Sequence, residues 1–141
     1  GTLPVPLIIG ISKAAEIAAQ KMNTFSEKSK SLRDQLWNGL NNEIPDLLIN
    51  GSLEKRLTHN LNFTILGIKG NRMHKALRDL IVCSSGSACA NGEPSHVLLA
   101  IGRTNKQAEA SLRLSIGRDT TLQDVNRAII IISRVVKQLR D

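Results

Sequence analysis

Cys89 has the strongest potential for chemistry in this 141-residue sequence. It lies in residues 84–94, a segment dense in Ser and Gly without helical or strand periodicity, which predicts an irregular, mobile loop. A free thiol has a pKa of about 8.5, so a few per cent is thiolate at neutral pH, enough for nucleophilic work if a neighbouring charge assists. The residues alone leave open the alternative that Cys89 is an inert loop cysteine. Cys83 follows Ile81 and Val82 in a predicted strand over residues 81–83 and is expected to pack.

The two cysteines do not form a usual zinc pattern with His59, His74 and His96. The Cys-x5-Cys spacing is not one of the structural-zinc spacings, and no histidine pair stands three to five residues apart. Each histidine is therefore interpreted as a surface or polar-core residue, and no metal is expected. Two cysteines are also too few for a disulfide framework, which favours a reducing, cytoplasmic location.

Arg113 is the second candidate, because Leu112 and Leu114 alternate with it in a predicted strand. This alternation puts Arg113 on the strand face turned away from the apolar layer, together with Ser111 and Ser115. A guanidinium can hold a carboxylate through two parallel hydrogen bonds, as a site for an amino acid requires. Spacing alone favours the alternative that this arginine is simply solvated.

The charge balance raises the question of a polyanionic partner, since the chain has 19 Lys and Arg, 12 Asp and Glu and a net charge of +7. The basic residues are scattered, and the chain has no Tyr, one Trp and two Phe for stacking on bases. We therefore expect no nucleic-acid partner. The longest apolar run, residues 128–132, is far shorter than the roughly 20 residues of a membrane span, so no membrane partner is expected either.

The remaining sequence supplies helices and strands that can position these residues. Apolar residues at three- and four-residue steps predict a long amphipathic helix over residues 12–40 and a last helix over 125–139, with Thr120 or Thr121 as its N-cap. Alternation predicts strands over residues 61–65 and 112–116. Short helices are predicted over residues 73–80 and 95–101, followed by a polar stretch through Glu109. This order predicts an α+β layer, a small and mainly antiparallel sheet covered on one face by helices.

Four segments, in this order along the whole chain, resemble the cysteine desulfurases, pyridoxal-phosphate-dependent relatives of the class V aminotransferases. The similarity is strongest around Cys89, where the loop motif resembles the catalytic-cysteine loop of that family. The segments are Gly1-Thr2-Leu3-Pro4-Val5-Pro6, Arg56-Leu57-Thr58-His59-Asn60-Leu61-Asn62, Ser84-Ser85-Gly86-Ser87-Ala88-Cys89 with Glu93-Pro94-Ser95-His96-Val97-Leu98, and Ser111-Leu112-Arg113-Leu114-Ser115-Ile116-Gly117-Arg118.

The resemblance implies a role for each candidate residue. Cys89 would be the nucleophile that takes sulfur from L-cysteine, leaving alanine and an enzyme persulfide. Arg113 would bind the substrate carboxylate, which overturns the solvated interpretation. The hydroxyl of Thr2 would reach the phosphate of pyridoxal 5'-phosphate in the other subunit of a homodimer. The persulfide would pass to a sulfur-acceptor or scaffold protein for iron-sulfur cluster or related cofactor assembly.

Two departures from the family qualify these expectations. No lysine here lies in a motif like that of the family's Schiff-base lysine, so the chain is interpreted as the C-terminal part of the enzyme, inactive alone. The segment from Cys89 to Glu93 is about two residues shorter than in the family's housekeeping members. We expect residues 1–40 to be a linking helix with its preceding residues and 41–141 to be the small domain. The alternatives are a selenocysteine lyase and a non-catalytic domain that binds sulfur-carrier or scaffold proteins.

Overall fold

The computed structural model describes residues 1–84 and 93–141, and its longest element is helix α1, Val5–Glu43. The helix begins after Pro4, and it ends where the Ile44 N–H bonds to the Leu40 carbonyl. It is longer at both ends than the predicted range of residues 12–40. Its first turns carry adjacent apolar residues rather than an amphipathic stripe, so periodicity detected the helix too late along the chain.

The sheet has three antiparallel strands in the order β1 (Leu47–Ile49), β2 (Asn60–Ile65) and β3 (Ser111–Ser115). The predictions of β2 and β3 are confirmed, whereas the three-residue β1 was too short for its alternation to be recognised. The predicted strand over residues 81–83 is wrong. Val82 is fully exposed, and among residues 81–84 only Ser84 pairs with the sheet, through an isolated bridge to β3.

Three short helices join the strands: α2 (Gly70–Leu77), α3 (His96–Ala100) and α4 (Asn105–Glu109). Helix α2 starts and ends three residues before the predicted range, and a Cβ on its first residue would overlap the Glu109 carbonyl, so only glycine fits there. Helix α4 lies within the polar stretch through Glu109, where no helix was predicted. It is too short for periodicity to detect, although its Thr104–Gln107 capping box forms as capping chemistry predicts.

The last helix, α5 (Leu122–Arg140), confirms the sequence interpretation most closely. Thr121 is the N-cap and forms a capping box with Asp124. The apolar stripe of α5 packs with α2 and with the second half of α1 against one face of the sheet. The largest fully buried apolar side chains of this core are Phe63, Leu36, Leu40, Ile44, Leu61, Ile65, Leu77, Leu112, Ile132 and Val125. The predicted fold class, α+β with helices on one face of a small antiparallel sheet, is confirmed.

Helix α1 divides into two halves with different surroundings. Its buried residues all lie between Ser29 and Leu40, and the Phe25 ring lies 6.0 Å from that of His59. In residues 5–24 every side chain is exposed except the half-buried Ile17, and large apolar residues such as Leu7 and Ile11 are each 72% exposed. This first half therefore projects from the packed body. Within the described ranges, no helix is both long and apolar enough to cross a membrane.

Candidate functional site

The sheet face opposite the core is polar. Three cross-strand pairs of β2 and β3 lie on it, Thr64 with Ser111, Asn62 with Arg113, and Asn60 with Ser115. Thr64 and Ser111 are buried, the two asparagines are half-buried, and Arg113 and Ser115 are exposed. The polar face is therefore buried at Thr64 and Ser111, which we call the closed end. It is exposed at Arg113 and Ser115, which we call the open end.

At the closed end, the polar groups are satisfied by hydrogen bonds to one another and to the backbone. Thr64 Oγ1 lies 2.8 Å from Ser111 Oγ, which donates to the Gln107 carbonyl at 2.8 Å. The buried Asn50 joins them, because its Nδ2 donates to Ser111 Oγ at 3.1 Å and its Oδ1 accepts from Thr64 Oγ1 at 3.2 Å. Polar groups that satisfy one another in this way can be buried at little cost.

A single row of polar residues crosses the strands, one cross-strand pair nearer the open end than Thr64 and Ser111. We call Asn50, Asn62, Arg113 and Ser84 the polar row. The Asn50 N–H donates to the Asn62 carbonyl at 3.0 Å, and Arg113 and Ser84 exchange two backbone hydrogen bonds of 2.7 and 3.1 Å. The backbones of Asn62 and Arg113 thus bond away from each other. They form a non-hydrogen-bonded pair, the type in which facing side chains are closest.

Two arginines hold the row in place from its β1 side. Arg56 Nη2 donates to the Asn50 carbonyl at 2.6 Å, and its Nε donates to the Ser52 carbonyl. Arg103 Nε donates to Asn50 Oδ1 at 2.6 Å, and its Nη2 donates to the Ile49 carbonyl. Burial lowers the pKa of Arg56, and the like charge of Arg33 lowers it further. The pair fixes the end of β1, and with it the register of the row.

The three residues predicted for the site have different places in the chain. Arg113 is exposed on the open end of the polar face, as the alternation predicted. Cys89 lies outside the described residues. Thr2 is exposed ahead of α1, and a helical rise of about 1.5 Å per residue puts Val5 about 30 Å along the axis from Phe25. Thr2 and Arg113 are therefore not brought together within one chain.

Cys83 packs at the edge of the core, as predicted, although not within a strand. Its side chain is half-buried, and burial raises the pKa of its thiol. Its Sγ lies 3.8 Å from His74 Nδ1. A raised pKa keeps the thiol protonated at neutral pH, which makes Cys83 a poor nucleophile. Within residues 1–84 and 93–141, no three His, Cys, Asp or Glu residues are grouped as a metal site requires.

Sequence reasoning missed Asn50, Asn62 and Arg103 as parts of the site. Asn62 was recognisable as a polar residue that alternates with buried ones on β2, once β2 was known to lie beside β3. The Asn50-Gly51 pair is typical of a turn, and Gly51 does have a positive φ, but a turn signal assigns no contact to the Asn50 side chain. No local pattern marked Arg103, whose contact with Asn50 joins residues 53 positions apart.

Comparison with known proteins identifies the family. A family model described as aminotransferase class-V matches residues 1–128. Cysteine desulfurase IscS of Histophilus somni strain 129Pt is 43% identical over 143 residues, which cover all of this chain and 35% of the relative. Cysteine desulfurase IscS of Methylococcus capsulatus is 42% identical over the same lengths. The chain thus spans about a third of these relatives, and the aligned length exceeds its 141 residues by two.

Solved structures with this fold include a protein titled NIFS-like, with a TM-score of 0.84 and 27% identity over 99% of this chain and 35% of that one. A NifS-like protein from Rickettsia africae has a TM-score of 0.80 and 25% identity over 97% of this chain and 36% of that one. Nearly the whole architecture described above is therefore shared with NifS-like proteins.

Proposed function

We propose, from the premise that this chain belongs to the class V aminotransferase family, that it is the C-terminal part of a cysteine desulfurase. The enzyme would remove sulfur from L-cysteine and leave it as a persulfide on Cys89. The observation that carries this proposal is the exposed Arg113 beside Ser84 on the open polar face. That arrangement offers an anion-binding group next to the segment that contains the proposed nucleophile.

Arg113 would bind the carboxylate of L-cysteine. Its backbone is fixed by the two bonds to Ser84, its strand neighbours Leu112 and Leu114 pair with β2, and its side chain is exposed. Within the described ranges no carboxylate forms an ion pair with it, so its guanidinium is available for an anionic ligand. A guanidinium binds a carboxylate with two parallel hydrogen bonds, which would also orient the substrate.

Cys89 follows Ser84 by five residues, so chain connectivity alone keeps the two Cα atoms within about 18 Å of each other. In the proposed step, a new S–S bond forms between Cys89 and the substrate sulfur while the substrate Cβ–S bond breaks. The electron pair of the broken bond stays on carbon, which gains a proton, and the remainder leaves as alanine. The persulfide would then be passed to a sulfur-acceptor or scaffold protein, for iron-sulfur cluster or related cofactor assembly.

Pyridoxal 5'-phosphate supplies an electron sink in enzymes of this kind. None of the nine lysines of this chain lies in a motif like that of the family's Schiff-base lysine, so they do not fit its covalent attachment. The attachment lysine would then belong to the large domain, outside this chain. The hydroxyl of Thr2 is the group here that we assign to the cofactor phosphate. Since Thr2 lies far from the packed body of its own chain, it would serve the site of a second subunit.

The exposed first half of α1 supports the proposed division into a linking helix and a small domain. Isolated exposed apolar residues are ordinary, but a run along one helix usually marks a contact surface. We assign this surface to contact with the large domain. The same exposure is what favours the second candidate function, a non-catalytic domain that binds a sulfur-carrier or scaffold protein.

The two functions are separated by replacing Cys89 with alanine in the enzyme that contains this chain. If the enzyme is a desulfurase, sulfide release from L-cysteine should fall to background in Cys89→Ala while the absorbance of the bound cofactor is kept. Cys83→Ala is the matched control and should retain most of the activity. Undiminished activity of Cys89→Ala would reject the nucleophile, and an unmodified enzyme without desulfurase activity would favour the binding domain. Comparing kcat/KM for L-cysteine and L-selenocysteine tests the selenocysteine lyase alternative.

A further inference from the structure

The hydrogen bonds of the polar row determine how the side-chain amide of Asn62 is oriented. A guanidinium can only donate hydrogen bonds, so the Asn50 atom that lies 2.6 Å from Arg103 Nε must be oxygen. The other amide atom of Asn50 is therefore Nδ2, which donates to Asn62 Oδ1 at 2.7 Å. This leaves Nδ2 of Asn62 as the remaining donor. The assignment follows from donor chemistry and not from an arbitrary choice between two amide flips.

That remaining donor lies on the same face of the sheet as Arg113, the residue proposed to bind the substrate carboxylate. Asn62 faces Arg113 in the non-hydrogen-bonded pair, where Cβ atoms are typically about 4.5–5.5 Å apart. Among residues 1–84 and 93–141, no hydrogen-bond partner of Asn62 Nδ2 is found, and the residue is half-buried on the open side. In contrast, Thr64 and Ser111, one pair further along the face, bond to each other and to Asn50.

We propose that Asn62 is a second donor to the substrate carboxylate at Arg113, and that Asn50 and Arg103 are positioning residues that hold its amide in the donating orientation. The inference rests on the proposed function. A carboxylate accepts about four hydrogen bonds, of which the fork of Arg113 supplies two. The amide N–H of Asn62 adds a neutral donor that favours a carboxylate over a group without acceptors. Asn62 thereby contributes to specificity for an amino acid over the corresponding amine.

The test is Asn62→Asp in the enzyme that contains this chain, because aspartate keeps an acceptor for the Asn50 amide while it removes the donor. We expect KM for L-cysteine to rise by about 10- to 100-fold, as for loss of a hydrogen bond to a charged group, with a smaller change in kcat. The inhibition constant of L-alanine should rise in parallel. That of 2-aminoethanethiol, which is cysteine without its carboxylate, should stay within about twofold.

Two further variants show whether the effect is specific. Asn60→Asp places the same new charge on the same strand and face, opposite Ser115, and should change KM by less than threefold. Asn62→Ser removes the amide donor without adding charge, and it decides the question if the aspartate variant does not fold. Asn50→Asp keeps the acceptor for Arg103 but loses the donor to Asn62, so KM should rise by less than in Asn62→Asp.

Arg113→Lys, measured in parallel, separates failure of the inference from failure of the proposed function. If Arg113→Lys weakens L-cysteine and L-alanine while Asn62→Asp behaves like Asn60→Asp, the role of Asn62 is wrong and the proposed function stands. If Arg113→Lys changes neither constant, the carboxylate site itself is wrong. Equal weakening of L-alanine and 2-aminoethanethiol in Asn62→Asp would reduce Asn62 to a structural residue and overturn the proposal.

Discussion

The two faces of the sheet come from the same alternating strands, but one is fully covered and the other is covered at one end only. On the apolar face, Phe63 and Leu112 are almost completely buried beneath α1 and α5. On the polar face, burial decreases from Thr64, through Asn62, to the exposed Arg113. The apolar face accounts for stability. At its open end, the polar face offers hydrogen-bond donors to a ligand.

Removing Phe63 should have the largest effect on stability. The ring is fully buried and contacts Trp37, with the centroids 6.3 Å apart. Phe63→Ala is expected to lower the free energy of unfolding by about 3–5 kcal/mol, measured by chemical denaturation. Ser115→Ala, at an exposed position of the opposite face, should change it by less than about 0.5 kcal/mol. Equal losses would mean that the two faces do not divide these roles.

Removing Arg113 should have the opposite signature. Arg113→Ala should weaken substrate binding by about 2–5 kcal/mol, seen as a higher KM in the enzyme that contains this chain, because a desolvated charge pair is lost. The thermal midpoint should hardly change, since the side chain is exposed. Arg127→Ala, which removes an exposed arginine on α5, is the matched control for charge. An unchanged KM would show that the open end does not bind the carboxylate.

The closed end should affect stability more than binding. Thr64→Val keeps the shape of the side chain but removes the buried hydroxyl contacts with Asn50 Oδ1 and Ser111 Oγ. Losing two buried hydrogen bonds, at about 0.5–1.5 kcal/mol each, should lower the free energy of unfolding by about 1–3 kcal/mol, which denaturant unfolding can measure. If Thr64→Val instead raised KM without lowering stability, the distinction between the closed and open ends would be wrong.

A smaller effect is expected in acid, at the N-cap of the helix that covers the apolar face. Hydrogen bonds from the Thr121 hydroxyl and backbone N–H hold the pKa of Asp124 below its ordinary value. A lowered folded-state pKa stabilises the fold above the unfolded pKa of about 3.9, and this contribution is lost as the pH falls through the folded value. Asp124→Asn should therefore reduce the loss of stability below about pH 4 in a pH series of thermal melts. If the acid dependence of stability were the same in Asp124→Asn, the stabilising role assigned to the Asp124 carboxylate would be wrong.

Sequence could predict those parts of the fold whose signals are local. The stripe and N-cap of α5, the alternation of β2 and β3, and the placement of Arg113 on the polar face all follow from the spacing of a few neighbouring residues. The strand wrongly predicted over residues 81–83 shows the limit of this reasoning. The β-branched Ile81 and Val82 favour a strand, but among residues 81–84 only Ser84 pairs with β3.

The parts that sequence missed depend on contacts between distant segments. Asn50 acquires its role because Arg103, 53 residues away, fixes its amide, and because antiparallel pairing places Asn62 beside it. No local pattern contains that information. The proposed roles of Cys89 and Thr2 rest on motif resemblance, because their chemistry depends on groups outside the described part of this chain.

The most direct test of the central claim is to locate the sulfur after a single turnover. The enzyme that contains this chain would be incubated with L-cysteine, alkylated without reductant, digested and analysed by mass spectrometry. We predict that the peptide with Cys89 gains the mass of one sulfur atom while the peptide with Cys83 does not. A persulfide on Cys83, or alanine formed with no sulfur retained on Cys89, would contradict the account.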